Sequence, residues 1–218
     1  MVLSSTVKTA ALAVTQPEVP PPHRKRLLEA MSQAVAAKGY AAVTIADIAA
    51  GARVSKRTFY EHFDSKSACL LALHEAATGS ALGAVRRALD PARDWHVQVN
   101  AALAAYFSTL STHPALLHTL FIEIHGLGAE GLAARRRAVQ AMADLIVDAV
   151  LGSARPAAAA RRRIAPLATG LVGGIHELVL DAIEQGQADR LQDLADRAGP
   201  LVQAVGDAIE AVAGKTRD

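Results

Sequence analysis

Residues Thr44 to Lys66 read TIADIAAGARVSKRTFYEHFDSK and hold two short helical patterns, a turn, and a set of basic and hydroxyl side chains. Thr44 is suited to cap the first helix, and Asp47 in its first turn meets the positive helix end. Ile45, Ile48 and Ala49 share one face, which must point inward. Gly51 is expected to supply the backbone freedom of the turn. Ser55 then caps a second helix whose apolar members, Phe59 and Phe63, stand four apart, and Val54 and Phe59 form a hydrophobic staple across its start. Lys56, Arg57, Thr58, Tyr60 and His62 are left facing outward, with Glu61 as the acid among them. A phosphate surface wants such a face. An ordinary amphipathic hairpin with a solvated basic face has the same pattern.

The run Val54 to Lys66, VSKRTFYEHFDSK, resembles the DNA-binding signature V-S-x-x-T-[FL]-Y-x-[HY]-F-x-[SN]-K of the tetracycline-repressor (TetR) family of bacterial transcriptional regulators. The resemblance implies a helix-turn-helix whose second helix enters the major groove. By position, it places Lys56, Arg57 and Tyr60 toward bases, and Thr44, Thr58, His62 and Lys66 on the DNA backbone. Arg53 and Ser55 complete the set of DNA-binding residues. Ala46 stands where some members carry a basic residue that reads a base, which throws more of the readout onto Lys56 and Arg57.

Charge agrees with this placement. Residues 1–66 carry nine Lys and Arg against five Asp and Glu, and the remainder carries fourteen against sixteen. Affinity for nucleic acid is therefore expected in the N-terminal third. A chain of 218 residues with 51% hydrophobic content is ample for a buried core. The single cysteine, Cys69, makes no internal disulfide or metal cage, fits a reducing cytoplasm, and reads as a small core residue.

Three units are expected: a disordered arm over residues 1–22, which ends in PEVPPP; a helix-turn-helix domain over 23–66; and a C-terminal regulatory and dimerisation domain over 67–218. The first domain opens with a helix from His23, headed by HRKR, that buries Leu27, Leu28, Met31 and Val35 and ends at Gly39. Asp64 or Ser65 caps a connector helix that runs to Leu89, where Asp90-Pro91 stops it. Helices follow over about 95–110, 114–125, 130–151, 157–185 with a kink at Pro166, and 189–213 interrupted at Gly199-Pro200. No run alternates cleanly enough for a sheet, so the fold class is all-α.

Ile164 to Ile183 is apolar enough to raise a membrane span, but His176, Glu177 and Asp181 fall inside it, and a charge near mid-bilayer costs roughly 2.5–3.5 kcal/mol. The span is rejected. Gly170, Gly173 and Gly174 instead let two helix backbones approach. The TetR resemblance implies that the last two helices pair with those of a second subunit, which makes these glycines the candidate dimer interface.

Enzyme readings find little support. Gly126 to Gly131, GLGAEG, satisfies G-x-G-x-x-G, but a dinucleotide site needs flanking strands and an acid at the tip of the second. His74-Glu75 and His176-Glu177 lack a second histidine four residues on, where Thr78 and Leu180 stand, so no metal site is assigned. No nucleophile elbow occurs, no catalytic residue is named and no cofactor is expected.

Trp95, Tyr106, Phe107, His113, His118, Phe121 and His125 cluster in a chain that is only 4% aromatic. Helical bundles place ligand sites between facing helices, so these seven form the candidate pocket, although each alone also reads as core. The resemblance implies a small-molecule inducer there. Together these readings describe a homodimeric repressor, bound to palindromic operator DNA and released by that inducer. The alternative is a regulator of the same kind controlled by a protein partner, or by no inducer at all.

Overall fold

The computed structural model describes residues 22–112, 114–152, 154 and 156–214. The expected arm lies outside these residues except for Pro22, and so does the pocket candidate His113. Helix α1, Pro22–Ala42, buries Leu27, Leu28, Met31 and Val35, as its spacing predicts, and Gly39 breaks its regularity with φ 73°. Helix α2, Ile45–Gly51, opens on a reciprocal cap. The Asp47 amide donates to Thr44 Oγ1 at 3.2 Å, while the Thr44 amide donates to the Asp47 carboxylate at 2.7 Å. Lys38 adds its ammonium to the same carboxylate at 2.7 Å. These bonds hold Asp47 well below the usual carboxylate range.

The turn after α2 differs from expectation. Its positive φ, 54°, belongs to Arg53. The Arg53 amide donates to Ala50 O at 3.0 Å and the Val54 amide to Ala49 O at 2.9 Å, the paired bonds of a Schellman ending with Arg53 in the left-handed position. Gly51 serves another purpose. A Cβ there would lie 3.1 Å from the Ala30 Cβ, so this glycine lets α2 approach α1.

Ser55 caps α3, Lys56–His62, and Ser65 caps α4, Lys66–Ala88, each accepting an amide at 3.0 Å. Phe59 and Phe63 close the head's core with ring centroids 5.8 Å apart. That core also takes in Cys69, Leu70 and Leu73 of α4, and burial pushes the Cys69 thiol up to about 12. Leu116 and Leu127, from beyond α4, pack against it.

The body contains α5, Val99–Ser111; α6, Pro114–Phe121; α7, Gly128–Leu151; α8, Ala158–Glu184; and α9, Leu194–Ala213, with short 3-10 helices at Trp95–Gln98, Glu123–Leu127 and Leu191–Asp193. No strand occurs among the described residues, and the fold is all-α. Helix α8 is continuous over Pro166, and α9 runs through Gly199-Pro200 without the expected interruption. Each proline forfeits one backbone bond, while the buried flanks Ile164 and Ala168, and Ala198 and Gly199, keep the helix against the core.

The stretch Gly126 to Gly131 follows no strand; it is the junction of the second 3-10 helix with α7. A Cβ on Gly131 would lie 1.9 Å from the Ile124 carbonyl oxygen, which accounts for the last glycine. By length and composition α4 and α8 are both apolar enough to cross a bilayer. Here Leu70, Leu82 and Val85 of α4 and Leu171, Val172 and Val179 of α8 are buried within the protein.

Candidate DNA interface and ligand cavity

Helix α3 presents Lys56, Arg57 and Tyr60 to the outside, with Tyr60 55% exposed and the Arg57 side chain 91% exposed. The Arg57 Nε contacts Glu61 at 3.3 Å on the same helix. Thr44, Arg53 and Ser55 are also exposed, whereas Thr58 and His62 are half-buried. The Thr58 hydroxyl lies 3.0 Å from that of Ser55, and the His62 ring meets His23 edge-on at 6.3 Å. Lys56, Arg57 and Tyr60 thus lie on the exposed side of α3, with Thr44, Arg53 and Ser55 exposed at the ends of α2 and α3 and Thr58 and His62 half-buried.

Lys66 departs from the set. Its ammonium donates to the carbonyls of Val43 at 2.8 Å, Tyr40 at 2.9 Å and Ala41 at 3.5 Å, and sits 4.2 Å from the Tyr40 ring centroid. A helix end leaves carbonyls without intrahelical partners, and Lys66, opening α4 beside the end of α1, supplies its donors to them. Arg24 of the HRKR run is likewise turned inward, with its guanidinium 5.3 Å from the Phe63 ring centroid.

Two adjoining clefts enter the body and share Tyr106, Met142 and His176 in their walls. One encloses about 670 Å³, mouth included, and is lined almost wholly by apolar side chains from α4, α5, α7, α8 and α9, with Trp95 among them. The other encloses about 750 Å³, mouth included, and adds Phe121, His125, His74 and Arg135. Four of the candidates, Trp95, Tyr106, Phe121 and His125, therefore line the cavity. Phe107 does not: it is fully buried, about 100° round α5 from Tyr106. His118 does not either, being exposed and 3.6 Å from Glu123. Sequence clustering missed His74, Arg135, Met142 and His176, which come from α4, α7 and α8. Burial, with Arg135 and His74 alongside, pulls His176 down to about 4. Burial raises the Tyr106 phenol above its usual range.

The glycines of α8 divide. Nothing lies within 4 Å of a Cβ at Gly170 or Gly173, whereas one at Gly174 meets Leu201 of α9 at 3.2 Å. Leu201 is itself 38% exposed.

A further cluster joins Trp95–Gln98 to α9. His96 lies 2.8 Å from Asp94 through Nδ1 and 2.7 Å from Asp207 through Nε2. Donor atoms of His96, Asp207 and buried Glu210 all fall within 4.8 Å of one another. Trp95 packs its ring so tightly on Gly206 that a Cβ there would lie 2.1 Å from it. Reading histidines in pairs along single helices overlooked this set, which is drawn from two elements.

Residues 27–73 match the family of bacterial regulatory proteins described as tetR. The HTH-type transcriptional activator FasR of Mycolicibacterium smegmatis is 30% identical over 150 residues, which cover 68% of this chain and 67% of that one. The chain belongs to the TetR family. Among solved structures, the fatty acid degradation regulator FadR of Bacillus halodurans superposes with a TM-score of 0.73 at 17% identity, over 85% of this chain and 96% of that one. FadR of Bacillus subtilis in complex with stearoyl-CoA gives a TM-score of 0.59 at 14% identity, over 88% and 99%. These similarities establish a TetR-family DNA-binding transcriptional regulator with an N-terminal helix-turn-helix and a C-terminal helical body.

Proposed function

We propose that this TetR-family protein is a cytoplasmic homodimeric repressor, held on a roughly palindromic operator by its α3 helices and released by an acyl-bearing small molecule. The cavity shared by α4, α5, α7 and α8 carries this reading, because its walls are apolar and α4 runs from it into the head. The FadR of Bacillus subtilis, similar in fold, holds stearoyl-CoA, which supports an acyl chain as the occupant. We assign base contacts to Lys56, Arg57 and Tyr60, and backbone contacts to Thr44, Arg53, Ser55, Thr58 and His62. We take the outer face of α8 at Gly170 and Gly173, with Leu201 of α9, as the dimer surface.

Two DNA-reading heads on one dimer must keep a fixed separation, so half-site centres should lie about one helical turn, or a multiple of it, apart. An occupant that prefers another head separation loosens DNA by its differential affinity for the two states, typically about 1–3 kcal/mol. The test has two steps. Bound duplexes are selected from a random pool at fixed salt and footprinted, and the site is then titrated with acyl compounds. A two-fold footprint lost on adding an acyl compound is the expected result. A footprint that persists, with the compound shown to be bound, would sink the release mechanism. Transcription from a promoter carrying the site separates repression from the activation named for the mycobacterial relative.

A further inference from the structure

The cavity changes character along its length. On one side of Tyr106, Met142 and His176 the walls are side chains such as Val85, Leu103, Ile146 and Val172. Beyond them stand His74 of α4 and Arg135 of α7, which with His176 of α8 make three polar groups from three helices along one cleft. His74 is only 4% exposed. Among the described residues the one sealed side-chain polar atom without a partner is Trp95 Nε1, and His74 makes no hydrogen bond there. Its ring nitrogens therefore open onto the cleft they line. Arg135 is half-buried and has no carboxylate partner among the described residues. The acid next to His74, Glu75, is already engaged by Arg137 at 3.1 Å. An unpaired guanidinium and an unpaired imidazole thus border a cavity whose other end is hydrocarbon.

Burial lowers His74 and pulls His176 down to about 4, so at neutral pH both rings are uncharged and the positive charge is Arg135's. A partly desolvated guanidinium without a counter-charge suits an incoming anion, and charge-assisted hydrogen bonds are about twice as strong as neutral ones. Neutral imidazoles each add one N–H donor. Apolar walls with a few converging polar groups are the usual construction of a site that fixes a ligand's orientation.

We propose that His74, Arg135 and His176 form an anion pocket inside the body, and that the effector is a free aliphatic carboxylate whose chain occupies the apolar cleft and whose carboxylate lies on these three side chains. The proposal rests on the acyl-effector reading and narrows it. A coenzyme A thioester would place a neutral carbonyl at this point.

The test compares dodecanoate, methyl dodecanoate and dodecanoyl-CoA on the full chain, with Trp95 fluorescence and calorimetry as readouts. Dodecanoate should bind about 10- to 100-fold more tightly than the methyl ester, the range of one charged hydrogen-bonded contact. Arg135→Gln should erase that preference and leave the ester's affinity unchanged, while Arg135→Lys should keep most of it. Should Arg135→Gln fail to fold, His74→Gln serves in its place and should reduce the same preference. Ester or thioester binding as tightly as the carboxylate overturns the anion pocket while leaving the acyl reading intact. If none of the three compounds binds, the acyl reading itself fails.

Discussion

Lys66 donates its ammonium to the Val43 carbonyl at 2.8 Å, tying the first residue of α4 to the loop that follows α1. With Tyr40 O at 2.9 Å as a second acceptor, the side chain fastens the head to the connector. Lys66→Met should therefore cost about 1–3 kcal/mol of stability, measurable by denaturant unfolding. Operator affinity should drop with it. If the ammonium serves these carbonyls rather than a phosphate, the slope of log affinity against log salt should stay at its wild-type value. A slope smaller by about one would put the ammonium on DNA.

Arg57 stands free of the core, with Glu61 at 3.3 Å as its neighbour on α3. Replacing it with Ala should cost about 1–3 kcal/mol at one base pair and relax preference there, leaving affinity for random duplex nearly unchanged at fixed salt. Equal losses on operator and random DNA would remove Arg57 from base readout.

Gly131 admits no side chain. Because the Ile124 carbonyl oxygen would lie 1.9 Å from an added Cβ, Gly131→Ala must push the 3-10 helix away from α7, at about 1–3 kcal/mol. Gly126→Ala, with nothing within 4 Å of its Cβ, is the control and should melt close to wild type. Equal melting of the two variants would contradict the close approach.

His176 sets a pH dependence of stability. Its native value of about 4 lies below the ordinary imidazole value of about 6.5, so the unfolded chain binds the proton first. Stability present above pH ~6.5 is then lost as pH falls toward 4, by about 1–3 kcal/mol. His74, lowered in the same sense, adds to the loss. Unfolding curves between pH 7.5 and 4.5 should show the decline in wild type and a flatter one in His176→Phe.

The dimer surface is best probed where the chain's own packing is untouched. A Cβ at Gly173 meets nothing within 4 Å in the protomer, whereas one at Gly174 presses on Leu201 at 3.2 Å. Gly173→Leu should yield a helical monomer by light scattering, with operator binding lost. A Gly173→Leu dimer would move the interface elsewhere.

The head was legible because its determinants are local. Thr44, Ser55 and Ser65 each cap a helix through an amide three residues on, and Phe59 and Phe63 follow from spacing. The carbonyl acceptors of Lys66 could not be read from the sequence, because they lie 23 to 26 residues earlier in the chain. Helix α4 serves two clusters, with Cys69, Leu70 and Leu73 in the core of the head and Ala81, Leu82 and Val85 in that of the body. Aromatic clustering in the sequence points to Trp95, Tyr106, Phe121 and His125, which line the cavity. It does not point to the charged end of the cavity, because His74, Arg135 and His176 are far apart in the chain and meet only when α4, α7 and α8 pack.

The segment from Leu116 to Leu127 faces two ways: Leu120, Phe121 and His125 line the cavity, while Leu116 and Leu127 pack on the core of the head. Any lineage that refits this stretch to a new chemical signal also alters the seat of its own DNA-reading part. Innovation in what is sensed should therefore accumulate at lining positions outside this stretch, such as Ile146 of α7 or Val172 of α8 in the apolar cleft. A designer retargeting the sensor would start from the same inward positions and leave Gly131 and the outer face of α8 untouched.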